Sequence, residues 1–316
     1  MKTESKIVPE LRFPDFDAEW GERSMGELLS FKNGYNAQAA QYGSGKKFIN
    51  VLDIIENDFI THDRIIGLVQ IPAKDFEKNE VKYGDILFQR SSETREEVGQ
   101  ANVYLDREKS ATFGGFVIRG TPLVEFVPVF FNSVLKTGKV RKDTTSRSGG
   151  STRYNIGQES LEQVIVNLAP TLPEQQKIAD FLTAVDGRIA QLSQKKALLE
   201  AYKKGVMQQL FSQTLRFQDN HGNHFPDWEE KTLGEITKWT SGGTPAKDKP
   251  EYWEGDTPWM SAASMHSRYY DDSPLKISNA GIKNGARMAK KGSLLLLVRG
   301  SMLWNRIPVG IALRKR

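Results

Sequence analysis

The stretch LPEQQKIADFL, residues 172–182, lies just past the middle of the chain, between segments of irregular β-type sequence. It opens a longer run, TLPEQQKIADFLTAVDGRIAQLSQKKALLEAYKKGVMQQLFS at 171–212, whose reading decides the architecture. Thr171 with Glu174 three residues on fits a capping box, and Pro173 falls in a first turn, where a missing N–H leaves nothing unbonded. Apolar residues then recur at Ile178, Leu182, Val185, Ile189 and Leu192, spaced four, three, four and three. Lys196 takes the next place in the stripe, and Leu199, Tyr202, Val206 and Leu210 continue it. A stripe this narrow suits a coiled-coil seam better than a helix lying on a globular core. Gly187 is the weak point, at a cost of about 1 kcal/mol relative to alanine. A continuous helix over 173–212 would run about 60 Å, too long to bury its stripe alone. The spacing therefore predicts a partner helix, from this chain or another; the alternative is a surface helix on an α+β domain. Lys195–Lys196 and Lys203–Lys204 read as its solvated face.

Composition bounds the rest. The chain has 316 residues, enough for two domains of ordinary size, with 38% hydrophobic and 26% charged residues. It has no cysteine, which excludes disulfides, thiolate catalysis and cysteine-ligated metal sites. No run of 18 apolar residues occurs and MKTESKIVPE carries no apolar signal region, so the expected location is the cytoplasm, with no membrane contact. A net charge of +5 permits a polyanionic partner without demanding one.

The chain also repeats itself. LRFPDFDAEWGERSMGEL at 11–28 matches LRFQDNHGNHFPDWEEKTLGEI at 215–236, with Trp20 against Trp228 and Gly26 against Gly234 at an offset of 208. Gly84 in KYGDILF matches Gly292 in KKGSLLLLV at the same offset, and Val98–Gly99 matches Val309–Gly310 at 211. Each copy continues into short β-type runs: FINVLDI, GDILF, ANVYL and FGGFVI in the first, TPWMSA, GSLLLLV and VGIAL in the second. Four of the six tryptophans, Trp20, Trp228, Trp253 and Trp259, read as core anchors. The expected fold is α+β: a mainly β module with minor helices over 1–170, the long coiled-coil helix over 171–212, and a partial second copy of the module over 213–316. A full second copy with its own helix would run roughly 100 residues further.

These residues resemble the specificity subunit of type I restriction–modification enzymes. The likeness is carried by VIVNLAPTLPEQQKIADFLTAVDGRI at 164–189, by SGGTPAKDKPEYWEGDTPWMS at 241–261 and, less specifically, by GGSTRYNIG at 149–157. The resemblance implies two target recognition domains, each followed by a helix, the helices pairing antiparallel to hold the domains apart. Each domain would read one half of a bipartite, asymmetric sequence in double-stranded DNA. Two methyltransferase subunits would pack on the specificity subunit and restriction subunits would join them. S-adenosylmethionine, ATP and magnesium would be used by those partners, and this chain would bind no cofactor and have no active site. If the second module is incomplete, the chain pairs with a second copy of itself through 173–212, is inactive, or is a fragment of a longer chain. The rival from another class is a DNA methyltransferase with its own catalytic activity.

Base reading needs forked donors and amides, and phosphate contact needs Arg, Lys, Ser and Thr on the same face. Two loops of the first copy fit. RKDTTSRSGGSTRYN at 141–155 offers Arg141, Lys142, Arg147, Ser151, Thr152 and Arg153, and QRSSETREE at 89–97 offers Gln89, Arg90, Ser91, Ser92 and Arg95. The second copy offers Arg299, Ser301, Asn305 and Arg306, with Thr244 in the turn SGGT at 241–244. Motifs for catalysis are wanting. There is no Gly-x-x-x-x-Gly-Lys-Ser/Thr phosphate loop. DTPW at 256–259 lacks the first proline of a methyltransferase tetrapeptide, and His221 and His224 lack a third metal ligand.

Overall fold

The computed structural model describes residues 9–313. By its internal contacts the chain divides into two units after Leu215, and the long helix belongs to the first.

The first unit opens with β1 (Gly21–Ser24), α1 (Met25–Leu28), β2 (Leu29–Asn33), β3 (Tyr42–Ile49) and α2 (Val51–Ile55). It continues through β4 (Leu68–Val69), α3 (Ala73–Lys78), β5 (Ile86–Gln89), β6 (Ser91–Ser92), β7 (Ala101–Val103), β8 (Thr112–Phe113) and β9 (Val117–Pro122). Then follow α4 (Pro128–Leu135), α5 (Gly138–Ser146), β10 (Tyr154–Asn155), α6 (Gln158–Glu162), β11 (Ile165–Leu168) and α7 (Leu172–Phe211). An antiparallel sheet in the order β2-β9-β5-β7 forms the centre, with a smaller sheet β4-β3-β8 beside it. β5 is apolar at every position of Ile86-Leu87-Phe88 because it is buried on both faces. Ile86 and Phe88 enter one core with Met25, Phe130, Phe131 and Val166, and Leu87 enters a second with Ile49, Tyr104 and Phe113. β1 pairs antiparallel with β11, so the start of the module is tied to the strand just ahead of α7.

α7 is one unbroken helix of 40 residues, within one residue of the predicted span at each end. Its first turns are fastened to the module by the two residues at the heart of the PEQQ motif. Glu174, 1% exposed, accepts from Arg12 Nε at 2.8 Å and Arg12 Nη2 at 2.9 Å. It also accepts from Trp20 Nε1 at 3.0 Å. Gln175 accepts from the Val127 N–H at 2.9 Å and donates to the Ala169 carbonyl at 2.8 Å. The predicted capping box is therefore only half made. Thr171 Oγ1 accepts from the Glu174 N–H at 3.4 Å, but the Glu174 carboxylate turns to Arg12 and Trp20, a stronger charge-assisted arrangement than a return to its own backbone. Ala179 is buried and Ile178 packs on the module core. Ile178 thus belongs to the module rather than to a seam. From 183 to 204 every residue is exposed, including Val185, Ile189, Leu192, Leu199 and Tyr202, while Leu182, Val206 and Leu210 are half-buried.

The second unit contains α8 (Leu233–Ile236), β12 (Thr257–Pro258), β13 (Tyr269–Tyr270), β14 (Lys276–Ile277), α9 (Asn279–Lys283), β15 (Leu294–Leu296) and β16 (Val309–Ala312). Its local geometry repeats that of the first at an offset of 208. α1 and α8 each begin with a capping box, Ser24 with Glu27 and Thr232 with Glu235. Gly84 and Gly292 both take the left-handed backbone, at φ 89° and 84°, which a residue with a Cβ adopts only at a cost. Ile86 pairs with Val103 and Phe88 with Ala101, and Leu294 pairs with Ile311 and Leu296 with Val309. This register corrects one alignment read from sequence: Val309–Gly310 is the counterpart of Ala101–Asn102, not of Val98–Gly99, so no insertion intervenes. The side chains differ in burial. Ile86 is 0% exposed and Leu294 64%; the buried apolar side chains described in the second unit, prolines aside, are Met265, Tyr270, Ile277 and Ala312.

Candidate nucleic-acid interface

The two loops singled out in the first copy, more than 40 residues apart in sequence, meet in space. β6 pairs antiparallel with β10, Ser91 opposite Asn155 and Ser92 opposite Tyr154. Ser91 Oγ donates to Asn155 Oδ1, and the Ile156 N–H donates to the Arg90 carbonyl at 3.0 Å. The segment expected as a loop from 141 is helical to Ser146. Thr144 supplies the reason: its hydroxyl donates to the Val140 carbonyl at 2.8 Å, and its methyl fills the space beside Gly99, where a Cβ would lie 2.5 Å away. Tertiary packing overrides the weak helix propensity of the threonines.

The candidate side chains then sort into two sets by their hydrogen bonds. Several serve the protein's own backbone. Arg141 on α5 donates from Nη2 to the carbonyls of Glu96 and Val98 at 2.9 and 2.8 Å. In return Arg95 donates to the carbonyls of Thr145 and Ser146 at the end of α5, at 3.2 and 3.3 Å. The two arginines form a reciprocal clasp between the 90–98 loop and α5, and burial holds the Arg141 pKa below its ordinary value. Arg147 donates to Asp143 Oδ1 and Gln163 Oε1, both at 2.9 Å. Gln89 and Ser92 are interior; Gln89 Nε2 donates to the Ser91 carbonyl and Ser92 Oγ to Glu97 Oε2. The other set is presented outward. Lys142, Ser151, Thr152 and Arg153 are exposed, and Arg90 and Ser91 are half-buried at their edge. Sequence alone does not separate the sets, because an arginine that caps a helix and one that meets a phosphate stand in the same kind of basic, hydroxyl-rich context.

In the second unit Thr244, Arg299, Ser301, Asn305 and Arg306 are all exposed. Arg299 precedes, and Asn305 and Arg306 follow, a short 3-10 turn at Ser301–Trp304 after β15. The turn before Thr244 is pinned by its tryptophans: Trp259 Nε1 donates to the Gly243 carbonyl and Trp253 Nε1 to that of Ala246, both at 3.0 Å. The rings pack edge to face at 5.1 Å, as expected of core anchors. Trp228 departs from that expectation at 53% exposed. Among the described residues no group of three or more His, Asp or Glu side chains is placed to hold a metal, and no helix is long and apolar enough to cross a membrane.

A β-rich module is thus clamped to the start of a single long helix and carries the β6–β10 ribbon on its surface. The chain belongs to the family of the type I restriction modification DNA specificity domain, whose model matches residues 18–201. It is similar to the type I restriction enzyme EcoR124I/EcoR124II specificity subunit of Escherichia coli, 33% identical over 135 residues, 42% of this chain and 30% of that protein. It is similar also to a putative type I restriction enzyme MjaX specificity subunit of Methanocaldococcus jannaschii, 24% identical over 243 residues, 74% of this chain and 54% of that protein. The matches thus span about a third to a half of these relatives' lengths. The crystal structure of a type I restriction–modification S subunit from M. genitalium has the same fold, with a TM-score of 0.51 at 17% identity over 98% of this chain and 74% of that one.

Proposed function

We propose that this chain is the DNA-reading, non-catalytic specificity subunit of a type I restriction–modification complex. Its first unit reads one half of a bipartite duplex target, and its second unit, with the same hairpin but different exposed side chains, reads a different half. Methyltransferase and restriction subunits dock on it in the cytoplasm and supply methyl transfer and cleavage, using S-adenosylmethionine, ATP and magnesium. The observation that carries this reading is the β6–β10 ribbon. It gathers two distant basic segments into one surface and leaves Lys142, Ser151, Thr152 and Arg153 outward, with no side-chain hydrogen bond among the described residues.

Such contacts release counterions, so binding should weaken steeply with salt. Replacing Lys142 or Arg153 by alanine is expected to weaken binding to all duplex sequences alike and to lower the slope of log K against log salt by about 1 each. A titration of labelled duplex over a range of salt concentrations measures both. Binding that ignores salt would refute the DNA role, and methyl transfer by the purified chain without partners would refute the non-catalytic one.

A second reading concerns assembly. Val185, Ile189, Leu192, Leu199 and Tyr202 lie in one stripe and are 41–70% exposed, the pattern of a seam that buries itself against another helix. A second copy of α7 in antiparallel orientation fits it. Light scattering is expected to show a dimer that Leu192→Glu with Leu199→Glu converts to monomer. A wild-type monomer at micromolar concentration would remove this reading.

A further inference from the structure

One surface of the first unit contains reading chemistry outside the ribbon. The turn between β8 and β9, Gly114-Gly115-Phe116, lies against Arg90 on one side and residues 34–36 on the other. The Arg90 N–H donates to the Phe116 carbonyl at 2.9 Å, and Arg90 Nη1 to the Gly115 carbonyl at 3.4 Å. Across the turn the Tyr35 N–H donates to the Phe113 carbonyl at 2.9 Å and Tyr35 bridges Gly114. The glycines permit this crossing. A Cβ at Gly34 would lie 2.1 Å from the Gly114 carbonyl oxygen, and a Cβ at Gly115 would lie 1.8 Å from Asn36 Oδ1. At the tip the Phe116 ring is 64% exposed, and Asn36 is exposed with no hydrogen-bond partner for its amide among the described residues. A large apolar ring held outward on a backbone bonded from both sides, between a guanidinium and an amide whose oxygen packs on Gly115, is not explained by stability.

We propose that Phe116, Asn36 and Arg90 form a further base-reading element for duplex DNA, in which Phe116 wedges against a base step while Asn36 and Arg90 meet the adjoining base edges. The inference rests on the DNA-reading role proposed above and adds specificity-determining residues to it. The combination suits the minor groove, where Asn and Arg sense the A·T-versus-G·C pattern and a phenylalanine unstacks a step. Arg90 joins this element to the ribbon, since Ser91 is the residue that pairs with Asn155. Flexible pyrimidine–purine steps yield most easily to a wedge, so the element should favour one at a fixed distance from the bases read by the ribbon.

The test is selection from a randomised duplex library by the full chain co-expressed with its host's type I methyltransferase subunit, with Phe116→Ala, Asn36→Ala and Leu123→Ser compared with wild type. Leu123 is 60% exposed at the opposite end of β9 and serves as the control. Phe116→Ala is expected to lose about tenfold in affinity for the selected site and its preference for the flexible step. Asn36→Ala should relax one position and leave the rest of the motif intact. Leu123→Ser should change neither, and all three should melt with wild type. A wild-type motif that both variants reproduce at full affinity would overturn this element and leave the ribbon standing. A wild-type complex that selects no motif would overturn the DNA role and this inference together.

Discussion

Replacing Gln175 by alanine should lower the stability of the first unit by about 2–6 kcal/mol, and replacing Glu174 should lower it further. The Gln175 amide satisfies the Val127 N–H and the Ala169 carbonyl, and each buried polar group left unpaired costs about 1–3 kcal/mol. Glu174 does more, because its carboxylate is the shared acceptor of the Arg12 guanidinium and the Trp20 indole. Removing it takes the carboxylate from the Arg12 guanidinium and the acceptor from the Trp20 indole N–H, whose ring packs 6.0 Å from that of Phe130. Urea unfolding followed by tryptophan fluorescence measures both effects. Midpoints equal to wild type would show that the helix is not held by this lock.

The second large effect is expected at Arg141. Arg141→Ala removes two charge-assisted hydrogen bonds to the carbonyls of Glu96 and Val98, a loss of about 2–4 kcal/mol concentrated in the 90–98 loop. Arg141→Lys keeps the charge but cannot reproduce the fork, and should behave nearly as alanine does. Hydrogen exchange is expected to show faster exchange over 90–98 in both variants, and the DNA motif selected by the complex should broaden at the positions nearest Ser91. If Arg141 instead met phosphate, Arg141→Lys would retain affinity and the loop would exchange as in wild type.

How far the architecture was legible depended on periodicity. The stripe from Ile178 to Leu210 marks a 40-residue helix, because its four-three spacing runs on through Lys196 and no proline follows Pro173 to break it. The matching glycines at 84 and 292 marked corresponding turns, because a left-handed backbone leaves little choice of residue. Tertiary decisions were not legible. Ile178 sits in the same stripe as Ile189, yet one packs on the module and the other faces outward; only the fold knows where the module ends. α5 was hidden in a threonine-rich run, since Thr144 is helical by virtue of packing at Gly99. The surface around Asn36 and Phe116 is not legible in the sequence because its glycines and amide carry no charge signal and become neighbours only through the crossing of residues 34–36 over the β8–β9 turn.

The bare stretch of α7 from 183 to 204 has a thermodynamic corollary. A helical segment exposed at every residue, and with Gly187 and Gly205 in or beside it, survives in water only marginally on its own propensity. Its order is therefore conditional on company: ellipticity at 222 nm should climb as the chain is concentrated or joined by its partners, making that segment a natural gauge of how much of the population is assembled.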